Sequence, residues 1–510
     1  MTEPGDLVVG IDCSTTACKA VVWDAAGRPR AEGRAPIALS SPTPDAYEQD
    51  AEGWWRATAA AIGAAAEALG ADDARRVRAL CVAHQRESFV LTDEDGRPLR
   101  PALVWMDARC RAEVARAVAT LGAGRLHTLS GKPPCTTPSL YKLMFLLARE
   151  APELGARRPM VLDVHAFLVR KLTGRYATSL ASADPMGLVD MAARDWSEPL
   201  LGLAGIERAQ LPALLAPGKL CGTLLPEAAE ACSLRPGLAV IAGAGDGQAA
   251  ALGAGIAGPG RAYLNLGTAI VSGVPSQSYC TSPSFRTMYG AAVGTFLLET
   301  DLKGGTFTVD WLVERLLGHA HGPGESERAI ARLEAEAWRI AAGSERLVVV
   351  PYWHGVMSPY WDDDASGILL GLRGHHGPAH LYRAILEGIA LEQRLCTSGV
   401  EQATGQLVAE LAVMGGGSKS ALWCQILADA TGKRVVRAAS AEATALGAGI
   451  LAAAAAGLHP DLPAAVRAMT ARGDTFVPGP AQSVYDRLYA EVYAGLYPAL
   501  RERAARLAKL

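Results

Sequence analysis

Residues 242–255, AGAGDGQAAALGAG, set one acid, Asp246, among residues that are almost all small, directly after a strand-like run over 237–242. Gly243 and Gly245 allow a sharp turn, and the Ala/Gly-rich tail predicts a helix beginning at Asp246. A carboxylate at a helix start has two readings. It can cap the helix by accepting a bond from one of the unpaired N–H groups. It can also face a cleft as a general base, with the neighbouring glycines leaving room for a substrate. The stretch alone does not choose between them.

Working outward, residues 256–260 read as a link into a second half that opens as the first does. Residues 7–12 and 19–24 are apolar runs around a hydroxyl-rich turn, and residues 262–266 and 270–274 flank a Gly267-Thr268 turn in the same way. This is an internal repeat of strand, phosphate-sized turn and strand. A third small turn, Gly415, Gly416, Gly417 and Ser418, follows the strand at 410–414 and precedes a helix over 419–431. Such turns offer backbone N–H groups with little side-chain bulk, as phosphates require. None matches GxxxxGK[ST]. Three of them predict a nucleotide clamped between two halves, with Asp12 on the first turn placed to hold Mg²⁺ through its water shell. Alternating strands and helices in both halves predict an α/β fold.

At 510 residues the chain is too long for one core, so two large domains are expected, 1–256 and 257–510. A net charge of -3 leaves no broad basic field, which argues against nucleic acid or an anionic membrane as principal partner. The acidic start, MTEPGDLVVG, has no secretory pattern, and the apolar run at 443–458 is short for a span and reads as a buried helix. The ten cysteines show no CxxC pair and no zinc spacing, which points to a reducing cytosol. His165, on an apolar helical face, reads as a core residue. Residues 484–507 read as an amphipathic docking helix.

A strand at 78–83 ends in the polar cluster His84, Gln85, Arg86, Glu87. Taken alone, Arg86 and Glu87 read as a surface ion pair worth little.

The chain resembles the FGGY family of carbohydrate kinases over nearly its full length. GILLGLRGHHGPAHLYRAILEGIA (367–390) is similar to the family's second signature, and PSLYKLMFLLARE (138–150) to its first, with Phe145 where Trp is usual. GIDCSTTACKA and LNLGTA resemble its two phosphate motifs. MGGGSKSALWCQILADATGKRV with EATALGAGILAA resembles its adenosine region, and GAGDGQAAALGAG its catalytic-base segment. The resemblance implies two actin-like, ribonuclease-H-like domains with ATP and sugar meeting in the cleft between them, and Asp246 as catalytic base. It implies that His84, Gln85, Arg86, Glu87, Asp246 and Gln248 bind the substrate, that Thr15, Thr16, Lys19, Gly267, Thr268 and residues 415–418 bind ATP, and that Asp12 serves Mg²⁺. HQRES resembles the NQRET of glycerol kinases, whereas WMDARC is close to the xylulokinase WNDGRC. The expected substrate is a ketopentose such as xylulose, with glycerol or a tetritol as the alternative and a homodimer as the candidate assembly. A non-catalytic actin-like ATPase and a sugar sensor are the rival classes.

Overall fold

The computed structural model describes residues 5–318 and 324–508, so the first residues of the acidic start lie outside it. The first sheet has six strands: β1 (Leu7–Cys13), β2 (Ala17–Asp24), β3 (Pro29–Pro36), β4 (Val77–His84), β5 (Leu220–Thr223) and β6 (Ala239–Gly245). Their order is β5-β6-β4-β1-β2-β3. β1 to β3 form an antiparallel meander, β1, β4 and β6 run parallel, and β5 closes the edge antiparallel. Such centrally placed parallel strands are covered on both faces and read as continuous apolar runs, as LVVGIDC does.

The second sheet comprises β7 (Arg261–Leu266), β8 (Ile270–Ser276), β9 (Arg286–Tyr289), β10 (Phe296–Leu302), β11 (Glu410–Met414), β12 (Arg434–Ala438) and β13 (Arg472–Phe476), in the order β9-β10-β8-β7-β11-β12-β13. Apart from the added edge strand β9 it repeats the first sheet: β7, β8 and β10 are the meander, β11 and β12 the parallel strands, and β13 the antiparallel edge. The turn repeat seen in the sequence is the visible end of a repeated sheet.

The principal helices are α1 (Ala51–Leu69), α2 (Val164–Thr173), α3 (Asp246–Gly253), α4 (Pro378–Thr404), α5 (Ala421–Thr431), α6 (Ala443–Ala455) and α7 (Leu462–Met469). α4 is one 27-residue helix, longer than the 380–399 expected. The segment expected to dock at 484–507 buries Tyr485, Tyr493 and Tyr497. Its Tyr485 hydroxyl donates to Glu387 (2.8 Å) and its Tyr493 hydroxyl to Glu392 (2.8 Å), both on α4.

α6 belongs to the second half of the sequence but packs in the core of the first half, with Val8, Val21, Ala79 and Ala249. Small residues make this possible. A methyl on Gly10 would strike the Ala445 carbonyl, and one on Gly447 the Ala249 carbonyl. Because α6 is apolar on every side, it is buried on every side. No helix among the described residues is long and apolar enough to cross a membrane.

Candidate active site

Asp246 is the first residue of α3, and Gly245 holds the cap position. The capping reading therefore fails in its strict form, although Asp246 Oδ1 does accept the Gly247 N–H (2.7 Å). The strand before it is bent on purpose. Ala242 and Gly243 together oppose Val82, a bulge in β6. A methyl on Gly243 would overlap the Val82 carbonyl, and the Gly243 N–H is tied to His165 Nε2 (3.0 Å). His165 is thus the satisfied core residue expected; burial, then the neighbouring His84, pushes its pKa down to about 3, so it is neutral.

The glycines around Asp246 do leave room, but protein fills it. A methyl on Gly245 would run into the Arg86 side chain, and one on Gly247 into the Glu299 carboxylate and the Tyr263 hydroxyl. Arg86 Nε lies 2.7 Å from Asp246 Oδ1, and Arg86 Nη1 donates to both oxygens of Glu299 (2.8 and 2.9 Å). Tyr263 donates to Glu299 (2.8 Å), Arg286 Nη2 lies 2.7 Å from Glu299, and Arg286 Nη1 donates to Glu87 (2.8 Å). The result is one chain of alternating charge: Asp246, Arg86, Glu299, Arg286, Glu87. Arg86, Glu87 and Arg286 are buried and Glu299 is wholly so, which excludes the surface-pair reading. Only Asp246, 43% exposed, reaches solvent to any extent. Burial raises the Glu299 pKa, but the Arg86 and Arg286 charges more than offset this and hold it at about 2.

The other predicted acceptor residues sit differently. Gln85 is fully engaged: its amide donates to Gln49 (2.8 Å), and its oxygen accepts from Thr15 and Ser88 (3.2 Å each). His84 is buried with Nδ1 2.6 Å from the Gln85 carbonyl. Gln248 is buried and its amide donates to the Ala181 carbonyl (3.0 Å). All three side chains are buried, and His84 Nε2 and Gln248 Oε1 have no hydrogen-bond partner among the described residues.

Among the residues expected to bind ATP, Thr15 Oγ1 receives the Trp105 indole N–H (3.0 Å), which joins the first turn to the WMDARC segment. Thr16 and Thr268 are exposed. The Gly267 and Thr268 carbonyls accept the Thr306 and Gly305 N–H groups (2.9 and 3.0 Å). Gly415, at φ +83°, lies so close to Asn265 and Leu266 that a side chain there would collide, so the Gly-rich turn and the Gly267-Thr268 turn are neighbours. Ser418 Oγ donates back to the Gly415 carbonyl (2.7 Å). Lys19 is held between Glu32 (3.0 Å) and Glu442 (2.8 Å). The EATALGAGILAA stretch forms α6, preceded by Glu442, the partner of Lys19.

Asp12 fits a cation. Its Oδ1 is buried without a hydrogen-bond partner, and burial, then the like charges of Asp246 and Glu442, push its pKa up to about 7 against the pull of Lys19. A divalent ion held through water would relieve that burial and repulsion. Elsewhere Glu345, His375 and His376 bring ligand atoms within 4.8 Å of one another. There the Arg373 N–H donates to His376 Nδ1 (3.0 Å), so a neutral ring carries its proton on Nε2 and lacks the lone pair a metal needs. A cavity of about 270 Å³ between the halves, lined by Cys135, Thr137, Lys303, Trp361 and Asp363 among others, includes none of the predicted residues.

Sequence reasoning missed Arg286, Glu299, Tyr263 and Glu442. For Glu299 there was a signal, an acid inside the apolar run FLLETDL, since unpaired charge is rarely buried.

Two actin-like α/β halves, each opening on a strand-turn-strand unit, with a carboxylate at the start of α3, are the architecture of a phosphotransferase with an alcohol group as acceptor. Residues 7–253 match the N-terminal domain, and residues 262–456 the C-terminal domain, of the FGGY family of carbohydrate kinases, and the chain belongs to that family. It is 31% identical to the xylulose kinase of Escherichia coli strain K12, over 88% of this chain and 90% of that protein. It is 31% identical to the glycerol kinase of Bordetella parapertussis, over 90% of each. The crystal structure of xylulose kinase from Rhodospirillum rubrum superposes with a TM-score of 0.88 at 29% identity, covering 98% of this chain and 100% of that one.

Proposed function

We propose that this kinase transfers the terminal phosphoryl group of ATP to a hydroxyl of a ketopentose such as xylulose. The observation that carries the reading is the contact between Asp246 and Arg86, because it joins the helix-start acid to the hydroxyl-reading pair within one ion network. Similarity to xylulose kinases along the chain supports the choice of sugar. In this reading residues 1–256 carry the acceptor site, the base and the first phosphate turn, and residues 257–510 carry the second phosphate turn and the adenosine site.

Asp246 Oδ2 makes no hydrogen bond among the described residues, while Oδ1 is fixed by Arg86 and Gly247. Oδ2 accepts the proton of the attacking hydroxyl as the new O–P bond forms and the bond from the terminal phosphorus to the bridging oxygen breaks. Arg86 and Glu87 grip the acceptor's hydroxyls, with Gln85 and Gln248 shaping the wall behind. Thr15, Thr16, Gly267, Thr268 and residues 415–418 cradle the nucleotide, and Lys19 keeps Glu442 beside Asp12. Mg²⁺, held by Asp12, would supply neutralisation of phosphate charge.

A second reading, glycerol or a tetritol, is favoured by the Arg86-Glu87 pair itself. ATP consumption across ketopentoses, glycerol and tetritols tests both. The highest kcat/KM should fall on a ketopentose. A higher value on glycerol would select the second reading. ATP hydrolysis indifferent to every polyol, with sedimentation that changes on adding ATP, would sink both in favour of an actin-like assembly ATPase.

A further inference from the structure

We propose that Arg286 and Glu299, contributed by strands β9 and β10 of the second half, are positioning residues that set acceptor affinity by holding Arg86 and Glu87 in register. The inference rests on Arg86 and Glu87 being the acceptor ligands. Arg86 leaves β4 in the first half, and its Nη1 is claimed by both carboxylate oxygens of Glu299. Glu87 adopts φ 55°, the left-handed region that a glutamate seldom enters, and its Oε1 is held by Arg286 Nη1 (2.8 Å). Arg286 in turn uses Nε and Nη2 on Glu299 (2.8 and 2.7 Å), and its Nε also lies 3.0 Å from Asp301.

These bonds divide the polar atoms of each ligand between two tasks. Arg86 spends Nε on Asp246 and Nη1 on Glu299, leaving Nη2 with no hydrogen bond to protein among the described residues; Glu87 spends Oε1 on Arg286 and leaves Oε2. One donor and one acceptor are left for adjacent hydroxyls, and their separation is set by residues that lie 13 positions apart in sequence on neighbouring strands of the other half. The acceptor site is thus assembled only when the halves are together. A carboxylate bridging two guanidiniums fixes both planes at once, which a single pair cannot do. Glu299, held ionised near a pKa of about 2, keeps that bridge charged throughout the physiological range.

The test compares Glu299→Gln and Arg286→Lys with wild type, measuring KM for acceptor and for ATP on one preparation together with a thermal melt. Each should raise the acceptor KM by about tenfold or more while the ATP KM stays within about twofold. Arg286→Lys keeps the charge and loses the planar fork, so it gives the same reading should Glu299→Gln not fold. Acceptor KM unchanged in a folded variant, or acceptor and ATP KM rising together, overturns the inference. Glu87→Ala separates the two levels. If it leaves acceptor KM alone, the assignment of Glu87 as a ligand has failed; if it raises acceptor KM while Glu299→Gln and Arg286→Lys do not, only the positioning role has.

Discussion

Glu299 and Glu392 begin alike and end opposite. Both are wholly buried, and both accept tyrosine hydroxyls at 2.8 Å, Glu299 from Tyr263 and Glu392 from Tyr352 and Tyr493. Burial raises both. Around Glu299 the Arg86 and Arg286 charges win and hold the pKa at about 2, whereas around Glu392 the hydroxyls offset only part of the rise and it settles at about 7. The difference teaches what neutral hydrogen bonds can and cannot do. They satisfy a buried carboxylate, but only a full opposite charge keeps it ionised. The site that handles charge has guanidiniums; the one that ties α4 to the C-terminal segment has hydroxyls.

The contrast can be broken by substitution. The largest effect should come from the exposed end of the charge chain. Asp246→Asn should lower kcat by about 10² to 10⁴ with the melt unchanged, read by single-turnover phosphorylation. A near wild-type rate would place the base elsewhere. Next, Glu299→Gln leaves two buried guanidiniums short of a partner and should cost about 3–5 kcal/mol near neutral pH, measured by urea unfolding. Its sign with pH follows from the lowered pKa: the wild-type advantage is present above the ordinary value of 4.5 and is lost as pH falls toward about 2.

Glu392→Gln should show the reverse. The folded protein prefers protonated Glu392, so as pH rises from 4.5 to about 7 the unfolded chain ionises first and the wild type loses stability across that window. The glutamine variant escapes this, and its advantage should grow over the same window by on the order of 3 kcal/mol, at about 1.4 kcal/mol per unit. A pH-independent difference would mean that Glu392 is ionised in the fold. The smallest effect belongs to Tyr493→Phe, which removes one hydroxyl from Glu392 and should cost about 1 kcal/mol.

The features legible in the sequence are those written locally. Apolar runs and small-residue turns gave away both strand-turn-strand units, and the glycines around Asp246 marked a close approach. What they made room for was not legible, because Arg86 and Glu299 are 213 positions apart and nothing near either names the other. Gln85 and Gln248 show the same limit: an amide beside a strand end reads alike whatever faces it, and nothing near either names Gln49 or Ala181 as its partner. The run at 443–458 was readable as a buried helix, but not which half would bury it.

That last placement bears on how the chain comes off the ribosome. β1 to β6 are complete by Gly245, yet the apolar face of their sheet is covered by α6, which ends at Ala455. At translation speeds of about 5–20 residues per second the nascent first half waits on the order of ten seconds or more with that face uncovered. Chaperone occupancy during synthesis should therefore be highest over that interval and fall once α6 has emerged from the exit tunnel.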